Sequence, residues 1–277
     1  MSRLLITGAS GFVGRWAQRS AAKAGWEVIP LLRSGSNPID LTQFEQIPRV
    51  IKESKCDAIL HLAAMSHPLT CMKQPKLAHK INVGAVEAIV SSAPSHCKIV
   101  FSSSVHVYGE PKRIPISEED TLKPLGYYGE LKLQAEKLVL SHSKGIVARA
   151  FHHTGPGQKK GHLFPDWLLQ KQPVSVGNIN LIRDILDVRD VVDAYLLLLK
   201  EPNVPRIVNV CSGKGISLRR ILQKMLITQY IQKNHLMRDN EIEILIGNNQ
   251  KLVELGWSPQ YDLETTLSDM KMELDSQ

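Results

Sequence analysis

Thr7-Gly8-Ala9-Ser10-Gly11-Phe12-Val13-Gly14 is the stretch on which the fold turns. It follows a short apolar run, Leu4–Thr7, and opens an amphipathic stretch, Val13–Ala24. Strand, glycine turn and helix in that order form the first turn of a dinucleotide-binding βαβ unit. Gly8 permits the tight turn, Gly11 lets the backbone approach a pyrophosphate, and Gly14 lets the helix lie against the sheet. The helix start then offers amide N–H groups and the positive end of its dipole to phosphate.

Outward from this loop, short runs rich in β-branched and aliphatic residues alternate with amphipathic ones. Strands are expected at Leu4–Thr7, Glu27–Leu32, Ala58–Leu62, Lys98–Phe101 and Gly145–Ala150. Helices are expected at Val13–Ala24, Phe44–Lys52, Pro75–Ser92 and Tyr128–Ser141. Such alternation predicts an α/β fold, a Rossmann-type doubly wound parallel sheet with ligands beyond the carboxyl ends of its strands. After Ala150 the pattern loosens into a Gly-, Pro- and Lys-containing stretch, then helices at Asp190–Leu199, Ser217–Gln232 and Leu263–Met272 and a strand at Arg206–Val210. The expected division is a dinucleotide-binding domain over 1–150, with a return segment near 186–202, and a smaller C-terminal substrate-binding lobe over 151–277.

The end of the second strand selects the cofactor. An acidic residue there would favour NAD(H), and a basic one accommodates a 2′-phosphate. The strand ends Leu31-Leu32-Arg33-Ser34, so Arg33 predicts NADP(H), with NAD(H) the alternative. Asp40, beside Leu41, is placed to meet an adenine amino group.

Tyr128 and Lys132 are four residues apart on an expected helix and share one face. An unperturbed phenol titrates near 10, and a nearby ammonium is expected to lower that value toward general acid–base use. Ser104 closes the serine run Ser102-Ser103-Ser104 after the fourth strand and can hydrogen-bond the same substrate oxygen. Tyr127 lacks the four-residue offset to a lysine. These three residues suit hydride transfer to a ketone, with Tyr128 as proton donor, Lys132 tuning it and Ser104 orienting the carbonyl.

Together these motifs resemble the extended short-chain dehydrogenase/reductases, the nucleotide-sugar epimerases, dehydratases and reductases. The matching residues are Thr7–Gly14, Asp40-Leu41, His61-Leu62-Ala63-Ala64, Asn82, Ser102–Gly109, and Tyr128 with Lys132. Ala150–Gln158, Phe164-Pro165-Asp166, Arg183-Asp184, Asp187–Asp190, Asn209–Gly213 and Gly256-Trp257 resemble the branch of GDP-mannose dehydratases and GDP-4-keto-6-deoxymannose reductases. The resemblance implies a cofactor set of Gly8, Ser10, Gly11, Phe12, Val13, Gly14, Arg33, Asp40, Leu41, Leu62, Ala63 and Ala64, with Tyr128 and Lys132. It implies a substrate set of Ser103, Ser104, His106, His153, Arg183 and Arg238, with a GDP-linked sugar as ligand and a homodimer as assembly. His106 stands where the dehydratases carry a glutamate base, which favours a 4-keto reductase over a dehydratase. His152 replaces a usual asparagine, and Met237-Arg238-Asp239-Asn240 replaces a segment that normally carries a proline. An epimerase or dehydratase that recycles its cofactor is the alternative. A non-catalytic dinucleotide-binding protein is the remote one.

Bulk composition excludes other classes. With 277 residues, 43% hydrophobic and 22% charged, the chain is of ordinary globular type. The net charge of +7 is scattered, with no interleaved aromatic stripe, and so does not predict nucleic-acid binding. No apolar run reaches the about 18 residues of a membrane span. The glycine loop begins too early for a secretory leader, and Cys56, Cys71, Cys97 and Cys211 have no paired spacing, so a cytoplasmic protein with free thiols is expected. The neighbouring His152, His153 and His162 lack carboxylate or thiolate partners at ligand spacing, so no metal is predicted.

Overall fold

The structure, a computed structural model, describes residues 1–32, 39–237 and 241–276. The first half runs β1 (Arg3–Thr7), α1 (Phe12–Lys23), β2 (Glu27–Leu31), α2 (Gln46–Ser54) and β3 (Ala58–His61). There follow α3 (Pro68–Lys73), α4 (Pro75–His79), α5 (Ala85–Ser92), β4 (Lys98–Ser104), α6 (Tyr127–Ser141) and β5 (Gly145–Ala150). Then come β6 (His152–Thr154), α7 (Leu163–Leu169), β7 (Val174–Val176), β8 (Ile182–Asp187), α8 (Val188–Lys200) and β9 (Ile207–Val210). The chain ends with β10 (Gly215–Ser217), α9 (Leu218–Lys224), β11 (Tyr230–Gln232), β12 (Ile244–Leu245), α10 (Gln250–Glu254) and α11 (Leu263–Asp275).

Two compact units emerge. The first comprises Met1–Glu110, Glu119–Ala150 and Val192–Val208. Its sheet has the order β2-β1-β3-β4-β5-β9, and β1 through β5 pair in parallel. Parallel strands buried on both faces read as continuous apolar runs, and Leu4, Leu5, Ile6, Ile59, Leu60 and Val100 are indeed fully buried. This is the Rossmann-type doubly wound architecture expected from the sequence. Leu131 and Ala135 of α6 are buried inside this unit.

The second unit comprises Pro111–Glu118, Phe151–Val191 and Asn209–Gln277. β8 pairs with β10 antiparallel and with β6 and β12 in parallel, while β7 pairs with β11. Its core gathers Phe164, Trp167, Val174, Ile179, Leu181, Ile221 and Met270. Asp184 is fully buried on β8 and accepts from Ser212 N, Ser212 Oγ and Gly213 N at 2.8, 2.6 and 2.9 Å. These bonds fix the loop after β9.

Two sequence expectations need correction. The helix expected over Ser217–Gln232 stops at Lys224, because Leu226 turns left-handed at φ 58°. The run Ile227-Thr228-Gln229-Tyr230-Ile231 then extends, its start held by Gln172 Oε1, which accepts from Thr228 N and Gln229 N. The single helix expected over Pro75–Ser92 is interrupted by a π-helical turn at Lys80–Gly84. That turn points Asn82 inward, where its side chain bonds Met65 N and Met65 O at 2.8 and 3.0 Å.

Among the described residues, no helix is long and apolar enough to cross a membrane.

Candidate active site

The glycine loop lies at the carboxyl end of β1. Gly8 has φ 67°, and a Cβ there would sit 2.8 Å from Ala63 N. A Cβ on Gly14 would sit 2.1 Å from Gly8 O. The turn is therefore lined by backbone, closed by Gly11 N donating to Gly8 O at 2.9 Å. Gly11 occupies the N-cap of α1 and supplies no capping side chain, so the helix start keeps its dipole for an anion. Gln18 and Arg15 hold the carbonyls of Ala9 and Ser10 at 2.8 and 3.1 Å. A cradle of this kind fits a dinucleotide pyrophosphate. Thr7 Oγ1 accepts from Leu62 N and Ala63 N, each at 3.2 Å, and so joins Leu62-Ala63-Ala64 to the loop. Gly8→Ala should cost about 2 kcal/mol from the left-handed backbone and the Ala63 clash. Urea unfolding would measure that loss, and nicotinamide-dinucleotide titration the accompanying drop in affinity.

Asp40 is exposed, and its Oδ1 accepts from Thr42 N and Thr42 Oγ1 at 2.9 and 2.8 Å. This turn leads into Leu41, which packs against the core between the sheet and α2. Arg33 and Ser34, on which the choice between NADP(H) and NAD(H) was read, lie outside the described residues.

Ser104, Tyr128 and Lys132 come together. β4 runs three residues beyond its expected end and delivers Ser104 at its carboxyl terminus. The first two turns of α6 carry Tyr128 and Lys132 on their buried face. Gly129 is what lets this turn close on the site, since a Cβ there would meet His106 O at 2.6 Å. Ser104 Oγ lies 3.0 Å from His106 Nδ1 and accepts from His106 N at 3.3 Å. The His106 ring meets Tyr128 edge-on with centroids 5.5 Å apart. Lys132 Nζ donates to Ser102 O at 2.7 Å and sits 4.6 Å above the Phe101 ring and 5.9 Å from the Tyr128 ring centre. Ser102 Oγ in turn bonds the buried Tyr195 hydroxyl at 2.9 Å. Tyr127 instead donates to Pro75 O at 3.3 Å, away from this cluster.

The electrostatics correct one expectation. Lys132 was expected to pull the Tyr128 phenol down, yet burial raises it well above its ordinary value, with Ser104 only partly opposing. The phenol therefore holds its proton at neutral pH. Burial brings Lys132 down to about 8, with the Glu136 carboxylate and Cys71 opposing.

Ser103 is also corrected. Side chains alternate along a strand, so Ser103 points opposite to Ser104, and its buried hydroxyl donates to Glu136. It belongs to the interior behind the site and not to a substrate surface.

Sequence reading named His61 within a matching run and gave it no role. Its ring stacks on Phe101 with centroids 5.8 Å apart, and its Nδ1 lies 2.7 Å from Thr7 Oγ1. Since Thr7 Oγ1 already accepts two backbone amides, its proton goes to Nδ1, and the ring carries its own proton on Nε2. Burial, helped by the Lys132 charge, lowers His61 to about 3. The unfolded imidazole binds a proton below about 6.5 while the native one does not. Stability should therefore fall with acidification between these two values, by up to about 1.4 kcal/mol per pH unit from this group. Urea unfolding of His61→Gln between pH 4 and 7 should show a slope shallower by that amount.

In the second unit, His153 is half-buried with Nδ1 3.0 Å from Phe151 O, and desolvation lowers its titration. Arg183 on β8 donates through Nη1 to Ile182 O and Glu243 O at 2.8 and 3.0 Å. These carbonyls fix the direction of the guanidinium. Arg238 lies outside the described residues. Among the described residues, no three His, Cys, Asp or Glu side chains are grouped to hold a metal.

Comparison with known proteins gives the site its context. A GDP-6-deoxy-D-mannose reductase of Pseudomonas aeruginosa is 30% identical, over 96% of this chain and 94% of its own length. A UDP-glucose 4-epimerase of Lactobacillus helveticus is 26% identical, over 94% of this chain and 93% of its own. The structure of RMD from Pseudomonas aeruginosa complexed with NADPH superposes with a TM-score of 0.88 at 29% identity, covering 100% of this chain and 99% of that one. Residues 4–211 match the model of the NAD dependent epimerase/dehydratase family. With that match and the Rossmann-type sheet behind the glycine loop, the chain belongs to this family, the extended short-chain dehydrogenase/reductases, and is an enzyme of oxidoreductase type.

Proposed function

We propose that this enzyme uses NADPH to reduce the 4-keto group of a nucleotide-activated 4-keto-6-deoxyhexose, in the manner of a GDP-6-deoxy-D-mannose reductase. The observation that carries the reading is the buried Tyr128 phenol beside the Lys132 ammonium, with Ser104 at the carboxyl end of β4 and the His106 ring edge-on to the phenol. A ketone accepting hydride becomes an alkoxide, which needs a proton at once. A phenol that keeps its proton at neutral pH suits that donation better than proton abstraction from an alcohol.

The loop Gly8–Gly14 with Leu62, Ala63 and Ala64 would hold the dinucleotide, and Arg33 would meet a 2′-phosphate. When bound, the reduced nicotinamide supplies the hydride. Ser104 donates a hydrogen bond to the substrate carbonyl and polarises it. Tyr128 gives its proton to the nascent alkoxide, and the Lys132 ammonium stabilises the phenolate left behind. His106, bonded to Ser104 and edge-on to Tyr128, flanks the sugar, while His153, Arg183 and Arg238 would contact the substrate. Two helices per subunit would form a homodimer.

Absorbance of reduced nicotinamide tests this with GDP-4-keto-6-deoxymannose as substrate. Consumption of NADPH in step with sugar is the expected result. Conversion of sugar with no net NADPH loss would replace the reading by an epimerase or dehydratase, an outcome favoured by the 26% identity to UDP-glucose 4-epimerases.

A further inference from the structure

One buried charged cluster of the first unit has no part in the chemistry above. Glu136 follows Lys132 by four residues on α6, so the two side chains share a face one turn apart. Its carboxylate and the Arg149 guanidinium are 2% and 1% exposed. Two parallel bonds join them, Nε to Oε1 at 3.0 Å and Nη2 to Oε2 at 2.8 Å. Arg149 also donates through Nη1 to the Tyr108 hydroxyl at 3.1 Å and lies 4.9 Å from the centre of that ring. On its other side Glu136 accepts the hydroxyl of Ser103, the residue beside Ser104. An ion pair this deep is weak evidence for stability, because an apolar pair of similar volume often does as well.

We propose that Glu136 is a positioning residue for the Ser104–Tyr128–Lys132 site. It ties β4 to α6 through Ser103 and fixes a negative charge one turn behind the Lys132 ammonium, with Arg149 clamping the carboxylate. The proposal rests on the reading of those three residues as the reacting site.

The groups facing Lys132 are Glu136 and Tyr128 from α6, Cys71 from α3 and His61 from β3, with the Arg149 guanidinium of β5 behind Glu136. His61 is neutral near pH 7, and the Tyr128 phenol keeps its proton. The Glu136 charge therefore opposes burial and keeps the ammonium protonated to higher pH. Removing that charge leaves burial opposed by Cys71 alone and the Arg149 guanidinium behind it unneutralised, so Lys132 sheds its proton more readily. Removing the Arg149 charge does the reverse. A merely structural clamp would weaken the fold in both variants and move the titration in neither.

The full chain with carbon-13-labelled lysines, its Lys132 signal assigned by Lys132→Met, reads this directly. From a wild-type midpoint of about 8, Glu136→Gln should move Lys132 down and Arg149→Met should move it up, each by roughly half a pH unit or more. Unchanged midpoints, or movement in the same direction, would overturn the proposal. Glu136→Gln strands a buried guanidinium and could unfold, so Ser103→Ala serves as a second arm that strands no charge. It should lower kcat about 3- to 10-fold with KM nearly unchanged and a melting temperature only a few degrees lower. Wild-type kcat in Ser103→Ala would refute the tie to β4. The lysine spectrum needs no substrate, so a wild-type protein without turnover would defeat the reductase reading while the coupling of Glu136 to Lys132 is still measured.

Discussion

Tyr128→Phe should lower kcat for ketone reduction by about 10²- to 10⁴-fold, the range that a positioned proton donor supplies. NADPH affinity should stay within a few fold. The change removes one oxygen from a side chain that is 9% exposed and leaves the ring packed among Cys71, Val83 and Leu131. The fold therefore loses no more than about 1 kcal/mol of polar contact at the hydroxyl. Hydride transfer without this phenol would leave an alkoxide facing Ser104 and His106, neither of which lies on the Lys132 face of α6. Stopped-flow nicotinamide absorbance and a binding titration separate the two quantities. A variant that kept a tenth of wild-type kcat would remove Tyr128 from the chemistry. One that lost NADPH binding in proportion to kcat would make it a cofactor residue instead.

How far the sequence carried can be argued residue by residue. The glycine loop was legible because Gly8 and Gly14 answer to close backbone approaches that a Cβ would violate, at 2.8 Å from Ala63 N and 2.1 Å from Gly8 O. The Tyr128–Lys132 pairing was legible because a four-residue offset on a helix fixes a shared face whatever surrounds it. The sign of the Tyr128 shift was not, since it depends on burial, and burial is a property of the packed sheet and helices. Ser103 was misread for a related reason: three consecutive serines look alike until strand alternation sends Ser103 toward Glu136 and Ser104 toward Tyr128. Glu136 carried a usable signal, an acid on the apolar face of α6 beside Leu131 and Ala135. Its partner Arg149 stands on β5, and nothing local in the sequence joins them. The break after Lys224 was hidden because the helical pattern of Leu218–Lys224 runs on into residues whose extended pairing with β7 is non-local.

Lys132→Met should abolish turnover and yet stabilise the protein. The lysine is 4% exposed, and burial brings its titration to about 8 from an ordinary 10.5. Below pH 8 the native protein must hold a charge that the unfolded chain carries at less cost, a difference of about 3 kcal/mol. The methionine has a comparable unbranched length and no charge to desolvate. Against this gain stands the Ser102 carbonyl, which loses its donor at a cost of about 1 kcal/mol. A net gain of about 2 kcal/mol at pH 7 should raise the melting temperature by several degrees. The sign fixes the pH dependence. Between 8 and 10.5 the unfolded chain binds the proton and the native one does not, so wild-type stability from this group rises with pH across that window. The advantage of the methionine variant should therefore be full at pH 7 and gone near pH 10.5. Equal melting temperatures for the two proteins at pH 7 would mean that the ammonium is already compensated where it sits, with Glu136 as the nearest source of that compensation. A stabilised but inactive variant would instead identify Lys132 as a charge kept at the expense of the fold for the reaction.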